Sequence, residues 1–205
     1  MVTSSSESSK RSEALRDLLT QDVLAGAREL LGWRLVLRLP DGQELAAQIV
    51  ETEAYRTPDD PGSHAHRGRT PRNAIMFGPA GLAYTYFVYG NHWMLNVTAH
   101  EEGNAAAVLI RAAKPLFDGE PKNLMNGPGK LCRSLGINGA SNGLDLLAPE
   151  SILRLEPGQP IKGVLFGPRI GLAEGKGREH LWRYARADML AHVSKPINSL
   201  LPESK

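Results

Sequence analysis

Two strand signals joined by a short turn constrain this chain most. Trp33 to Leu39 reads as a strand, P-D-G-Q at Pro40 to Gln43 supplies turn chemistry, and Leu45 to Glu53 returns as its hairpin partner. A hairpin makes neighbouring strands antiparallel, so the fold is expected to be organised around a sheet. The returning strand ends in V-E-T-E-A-Y, Val50 to Tyr55. Because side chains alternate between faces, Glu51, Glu53 and Tyr55 share one face of an extended strand.

Further along, Leu82 to Tyr89 and His92 to Thr98 form a second hairpin, with the turn placed at Gly90-Asn91 and Tyr89 beside its tip. Before the first hairpin, Val23, Leu24, Ala27, Leu30 and Leu31 recur at helical spacing, starting near Thr20 and capped by Gly32. Ala105 to Ala112 is a buried strand carrying Arg111 near its end, and G-P-G-K-L-C-R-S-L-G opens a short helix at about Pro128 that Gly136 closes. Leu153 to Leu155 and Ile161 to Leu165 are short strands. The reading is a mixed, mainly antiparallel α+β fold, with a disordered Ser-rich tail over 1–12 and one domain over 13–205. Between the hairpins, Arg56 to Pro79 is a long Pro-, Gly-, His- and Arg-rich loop, of a length usually functional or disordered, and its position between two strand signals favours functional.

Charge adds little in sum, since the net is +2. Its distribution says more. Arg67, Arg69 and Arg72 cluster in the long loop, while Arg169, Lys176, Arg178, Arg183 and Arg186 crowd a later stretch. Two such segments on one face would track a phosphate backbone; solvated loops are the ordinary alternative. No apolar run reaches membrane-spanning length, the N-terminus lacks a signal-peptide core, and Cys132 is the only cysteine. These point to the cytoplasm, a reducing compartment with no internal disulfide.

Glu53 leads the candidates for chemistry. A carboxylate at a strand end among aromatics can activate a water or stabilise a cationic sugar-like transition state, although most such residues are simply solvated. Glu51 and Glu53 as a pair would suit a carbohydrate glycosidase, but two carboxylates on one strand rarely flank a substrate from both sides. The tyrosines at 84, 86 and 89 alternate like core residues, with Tyr89 at a turn as the exception. An exposed aromatic there suits insertion into stacked bases, with Tyr55, Tyr86 and His64 as walls for an extruded base. Lys130 in G-P-G-K-L suits contact with a nucleic-acid backbone, and a plain capped helix is an equal reading. The histidines and Cys132 match no zinc spacing.

Taken together, L-P-D-G-Q-E-L, V-E-T-E-A-Y, H-A-H-R-G-R-T-P-R-N-A-I-M-F-G-P, Y-T-Y-F-V-Y-G, L-N-V-T, V-L-I-R-A, G-P-G-K-L-C and G-P-R-I-G resemble the alkyladenine (3-methyladenine) DNA glycosylase family, from about Leu31 to Trp182. The resemblance implies a monomer with a curved sheet and a protruding DNA-inserting hairpin. Such a protein flips damaged purines out of double-stranded DNA and hydrolyses the N-glycosidic bond without cutting the strand. It places the water-activating role on Glu53, with Arg111 and the Ile170 carbonyl as the water's other partners. The base would lie between Tyr55 and the pair His64 and Tyr86, over Asn96, which disfavours normal guanine. Tyr89 would be the wedge, with Asn91, Arg69, Arg72 and Lys130 as further DNA contacts. No metal or organic cofactor is expected, and the protein would act at the nucleoid. Asn91 departs from the family, which often has methionine there, and so weakens apolar support for the wedge. A non-catalytic nucleic-acid-binding module is the alternative.

Overall fold

The computed structural model describes residues 5–101, 104–118 and 120–202. Two helices lead, α1 (Ser5–Gln21) and α2 (Val23–Glu29), followed by strands β1 (Arg34–Arg38), β2 (Glu44–Tyr55), β3 (Ala83–Val88), β4 (His92–Glu101) and β5 (Asn104–Pro115). Helix α3 (Pro128–Ser134) precedes β6 (Leu153–Glu156), β7 (Val164–Gly167), β8 (Arg183–Arg186) and β9 (Leu201–Pro202). Among the described residues the strands make one antiparallel sheet in the order β3-β4-β5-β2-β8-β7-β9, with β1 pairing both β2 and β6. This is an α+β fold around an antiparallel sheet, as expected. No described helix is long and apolar enough to cross a membrane.

The first hairpin has the anticipated register, Arg34 facing Gln48 and Arg38 facing Glu44. The N-terminal part differs. The segment expected as a disordered tail is helical from Ser5 onward, and residues 1–4 lie outside the described residues. Tertiary anchors explain it: Leu15 and Leu19 are buried, Arg16 pairs with Asp145, and Arg11 donates to the Gly158 carbonyl at 3.2 Å. The second helix does not begin near Thr20. Asp22 is extended and its carboxylate accepts from the Leu24 and Ala25 N–H groups, so the chain stops one helix and caps the next.

Helices pack on one face of the sheet. Leu15, Leu19, Val23, Ala27 and Leu30 meet Ala47 and Ile49 of β2 and Val108 and Ile110 of β5. The alternation then changes phase. Ala47 and Ile49 point to this core, but beyond them it is Ala54 that does so, and Thr52 donates to the Ala27 carbonyl of α2 at 2.7 Å. The β2–β5 register is interrupted between Ile49 and Thr52, and β5 switches with it, Ala113 and Ile110 both facing the helices. Val50 and Ala112 meanwhile pack together on the opposite face. Without the irregularity, uniform alternation from Ala47 and Ile49 would aim Glu51 and Glu53 into the helical core. With it, both carboxylates and Tyr55 emerge on the far face.

A candidate active site on the far face of the sheet

Glu51 and Glu53 are both fully buried, yet their surroundings differ. Glu51 accepts from Arg183 Nε at 2.5 Å, from the Ser194 N–H at 2.8 Å and from the Ser194 hydroxyl at 2.9 Å. Burial raises its carboxyl above the ordinary value against the pull of Arg183, Arg111 and Ser194. Arg183 also donates to the Ser194 and Pro196 carbonyls, so Glu51 and Arg183 tie β2 and β8 to the C-terminal segment. Both Glu51 oxygens are thus engaged by the scaffold.

Glu53 is held by a different set of partners. Its Oε2 accepts from the Tyr55 hydroxyl at 2.8 Å and from Arg111 Nη1 at 3.3 Å, and its Oε1 accepts from the Ile170 N–H at 2.8 Å. Arg111 stands between the two glutamates, with Nε 3.6 Å from Glu51 and donating to the Ser194 hydroxyl at 3.1 Å. Burial, with the Glu53 charge adding, pushes the Tyr55 phenol well above its ordinary value, so Tyr55 is a neutral donor. Expectation gave Ile170 a role through its carbonyl; the contact present is through its N–H.

Beside this cluster lies a cavity of about 380 Å³, lined by Tyr55, Arg111 and Ile170 together with His64, Tyr86, Asn96 and Tyr89. All four base-pocket candidates therefore reach one space. His64 Nδ1 is 2.9 Å from the Tyr84 hydroxyl, and its ring meets Tyr86 edge-on at 4.6 Å between centroids. Although His64 as a whole is exposed, its ring is covered by these tyrosines, and desolvation followed by the Arg72 charge lowers its pKa. Asn96 is buried and donates to the Tyr84 carbonyl at 3.0 Å. Tyr84, not among the expected pocket residues, joins His64 and Asn96; its place on the same strand face as Tyr86 was the available signal.

The second hairpin turns one residue earlier than expected. Tyr89 (φ 56°) and Gly90 (φ 71°) are both left-handed, and the Asn91 N–H closes the turn on the Val88 carbonyl at 3.3 Å. This is the double positive-φ pattern of a tight hairpin turn, which a tyrosine adopts only at a cost. Tyr89 is 82% exposed at the tip, and Asn91 is exposed beside it.

The basic residues divide in a way that their spacing does not reveal. Arg69 is exposed on the long loop, and Arg72, also exposed, lines the cavity with its guanidinium 5.3 Å from the Tyr86 ring centre. Lys130 is exposed and donates to Asn126 at 2.8 Å. Arg169, Arg183 and Arg186 are buried and paired with Asp60, Glu51 and Asp188. They are therefore not a solvent-facing phosphate track; only Lys176 and Arg178 of that stretch are exposed. Among the described residues, no three His, Cys, Asp or Glu side chains are grouped to hold a metal ion.

The methylpurine-DNA glycosylase family model matches residues 17–189. The chain belongs to this family. Similar proteins each carry the name "Putative 3-methyladenine DNA glycosylase". One from Myxococcus xanthus is 46% identical over 151 residues, covering 73% of this chain and 76% of its own. Another from Herpetosiphon aurantiacus is 44% identical over 163 residues, covering 73% of each chain. A third from Streptomyces avermitilis is 40% identical over 188 residues, covering 85% of this chain and 87% of its own. The match takes in β1 to β8, and with them Glu53, Arg111, Ile170 and the cavity.

Proposed function

We propose that this methylpurine-DNA glycosylase family member excises alkylated or deaminated purines from duplex DNA by hydrolysis, leaving an abasic site. One observation carries the reading: a buried glutamate, oriented by three donors, stands directly behind the Tyr55, Arg111 and Ile170 lining of an aromatic cavity that the exposed hairpin tyrosine Tyr89 also lines. Tyr89 enters the stack in place of the extruded nucleotide, whose base lodges between Tyr55 and the His64–Tyr86 pair. Each base stacked on an aromatic contributes about 1–3 kcal/mol, which offsets part of the unstacking cost.

Glu53 takes a proton from water as the water oxygen bonds to the sugar C1′. The N-glycosidic bond breaks and its electron pair leaves with the purine, which neutralises a cationic alkylated base; a neutral deaminated base also takes up a proton or a hydrogen bond as it leaves. Arg111 and the Ile170 backbone keep the carboxylate and the water in line. Lyase action needs an amine nucleophile, and the described cavity lining contains no lysine, which supports hydrolysis alone. Asn96 at the pocket wall suits discrimination against guanine, and the exposure of Arg69, Arg72, Lys130 and Asn91 supports a role for them in contacting the flanking backbone.

The test is excision from matched duplexes carrying 3-methyladenine, hypoxanthine or ethenoadenine. Wild type releases the base, and Glu53→Gln binds lesion duplex but releases none. Release by Glu53→Gln at the wild-type rate overturns the assignment, and binding without turnover by wild type favours a non-catalytic module.

A further inference from the structure

Behind Tyr55 lies a buried ion pair that the proposed chemistry does not itself use. Asp60, in the long loop, is fully buried, and Arg169, next to Ile170, is 2% exposed. Arg169 Nη1 and Nη2 donate to the two Asp60 oxygens at 2.6 and 2.7 Å. The same nitrogens donate to the Ala54 and Gly177 carbonyls, both at 3.0 Å. The guanidinium also lies between two aromatic rings, 4.6 Å from the Tyr55 centroid and 5.0 Å from that of Trp182. Tyr55 lines the cavity and Arg169 does not, so the cation backs the ring on the side away from the cavity.

Two loops are locked by this pair. Asp60 accepts from the Gly62 and Arg56 N–H groups on its own loop. Gly177 closes over the pair from the other, where a Cβ would stand 2.7 Å from Arg169 Nη2. Gly62 leaves room for the Lys176 carbonyl, which would lie 2.7 Å from a Cβ there. Burying a full ion pair costs desolvation that apolar residues of similar volume would avoid, so stability alone is a weak reason for it. Its geometry is the better reason. One guanidinium fixes the Tyr55 ring, whose hydroxyl holds Glu53 Oε2, and fixes the peptide whose N–H holds Glu53 Oε1.

We infer that Arg169, held by Asp60, is a positioning residue that sets the Glu53 carboxylate for attack through Tyr55 and the Ile170 N–H. This rests on the reading of Glu53 as the water-activating group. Arg169 touches neither water nor base; it acts through its neighbours. Lysine keeps the charge but cannot span both Asp60 oxygens and two carbonyls while lying flat on the ring.

The experiment measures two quantities for wild type, Arg169→Lys and Asp60→Asn. One is single-turnover excision from a hypoxanthine duplex at saturating enzyme. The other is Kd for a duplex carrying a tetrahydrofuran abasic analogue. A positioning role lowers the Arg169→Lys rate by about 100-fold, the scale of an ångström-level misplacement, while Kd moves by less than about 3-fold. Asp60→Asn, nearly isosteric, falls in the same direction, and the double variant is no slower than Arg169→Lys because both act on one contact. Should Arg169→Lys be recovered unfolded, Asp60→Asn gives the decisive split. Rates at the wild-type level, or rate and Kd worsening in parallel, overturn the inference. If wild type itself releases no purine, the proposed function falls instead.

Discussion

The Tyr55 hydroxyl donates a 2.8 Å hydrogen bond to Glu53 Oε2, so the ring proposed to stack on the flipped base also steers the carboxylate proposed to activate water. Tyr55 lines the cavity while Glu53 is fully buried behind it. In the proposed mechanism, base recognition and water activation are thereby coupled through one side chain.

Tyr55→Phe keeps the stacking ring and removes only the donor. A hydrogen bond to a charged group is worth about 1.5–3 kcal/mol, and each 1.4 kcal/mol is about tenfold in rate. Single-turnover excision should fall by about 10- to 100-fold, with lesion-duplex affinity nearly unchanged. An equal loss of affinity would show that the hydroxyl serves binding rather than orientation.

Arg111 stands between two buried carboxylates, and its removal exposes their mutual repulsion. Arg111→Met should destabilise the fold by about 3–5 kcal/mol, the scale of stripping one partner from a buried pair. Urea unfolding reads this directly. Ser194→Ala loses the hydroxyl that accepts from Arg111 and donates to Glu51, and should cost about 1–3 kcal/mol.

Tyr89 is strained and solvent-exposed, so its effect on stability separates from its proposed role as wedge. Tyr89→Gly relieves a left-handed conformation worth about 1–2 kcal/mol and gives part of that back in unfolded-chain entropy. Thermal stability should hold or rise, while affinity for lesion duplex drops. A variant that binds lesion duplex as wild type does would remove the wedge from the proposed mechanism.

His64 supplies a pH dependence whose sign follows from its lowered pKa. The unfolded ring takes up a proton near pH 6.5, before the folded ring does. Its contribution is therefore complete above that pH and is lost as pH falls toward the folded value. Unfolding followed from pH 7.5 to 5 should show wild type losing more stability than His64→Gln. The comparison cancels His192, which is also lowered by burial and present in both proteins.

Much of the sheet is legible in local pattern. The P-D-G-Q turn joins two runs of strand residues, and β1–β2 pair in the register that pattern requires. Ala105 to Ala112 is apolar almost throughout because β5 is covered on both faces, by the helices and by the long loop. Strands β8 and β9 were not legible. R-Y-A-R carries two arginines in four residues, and it takes partners distant in sequence or turned back on it, Glu51 and Asp188 among them, to make that segment a buried strand.

By itself, the sequence determined which residue types stand close together along the chain: Glu51, Glu53 and Tyr55 on one strand, Tyr84 and Tyr86 on another, and a glycine that permits a tight turn after Tyr89. Tertiary structure decided what each could do. The register break at Glu51 chose the face that receives the carboxylates, and pairing with Arg183 and Ser194 made Glu51 part of the scaffold. It left Glu53 to Arg111, Tyr55 and Ile170. The physical reason is that alternation and turn propensity are local. Whether a buried charge is scaffold or reactive group depends on partners contributed by segments far away in the chain.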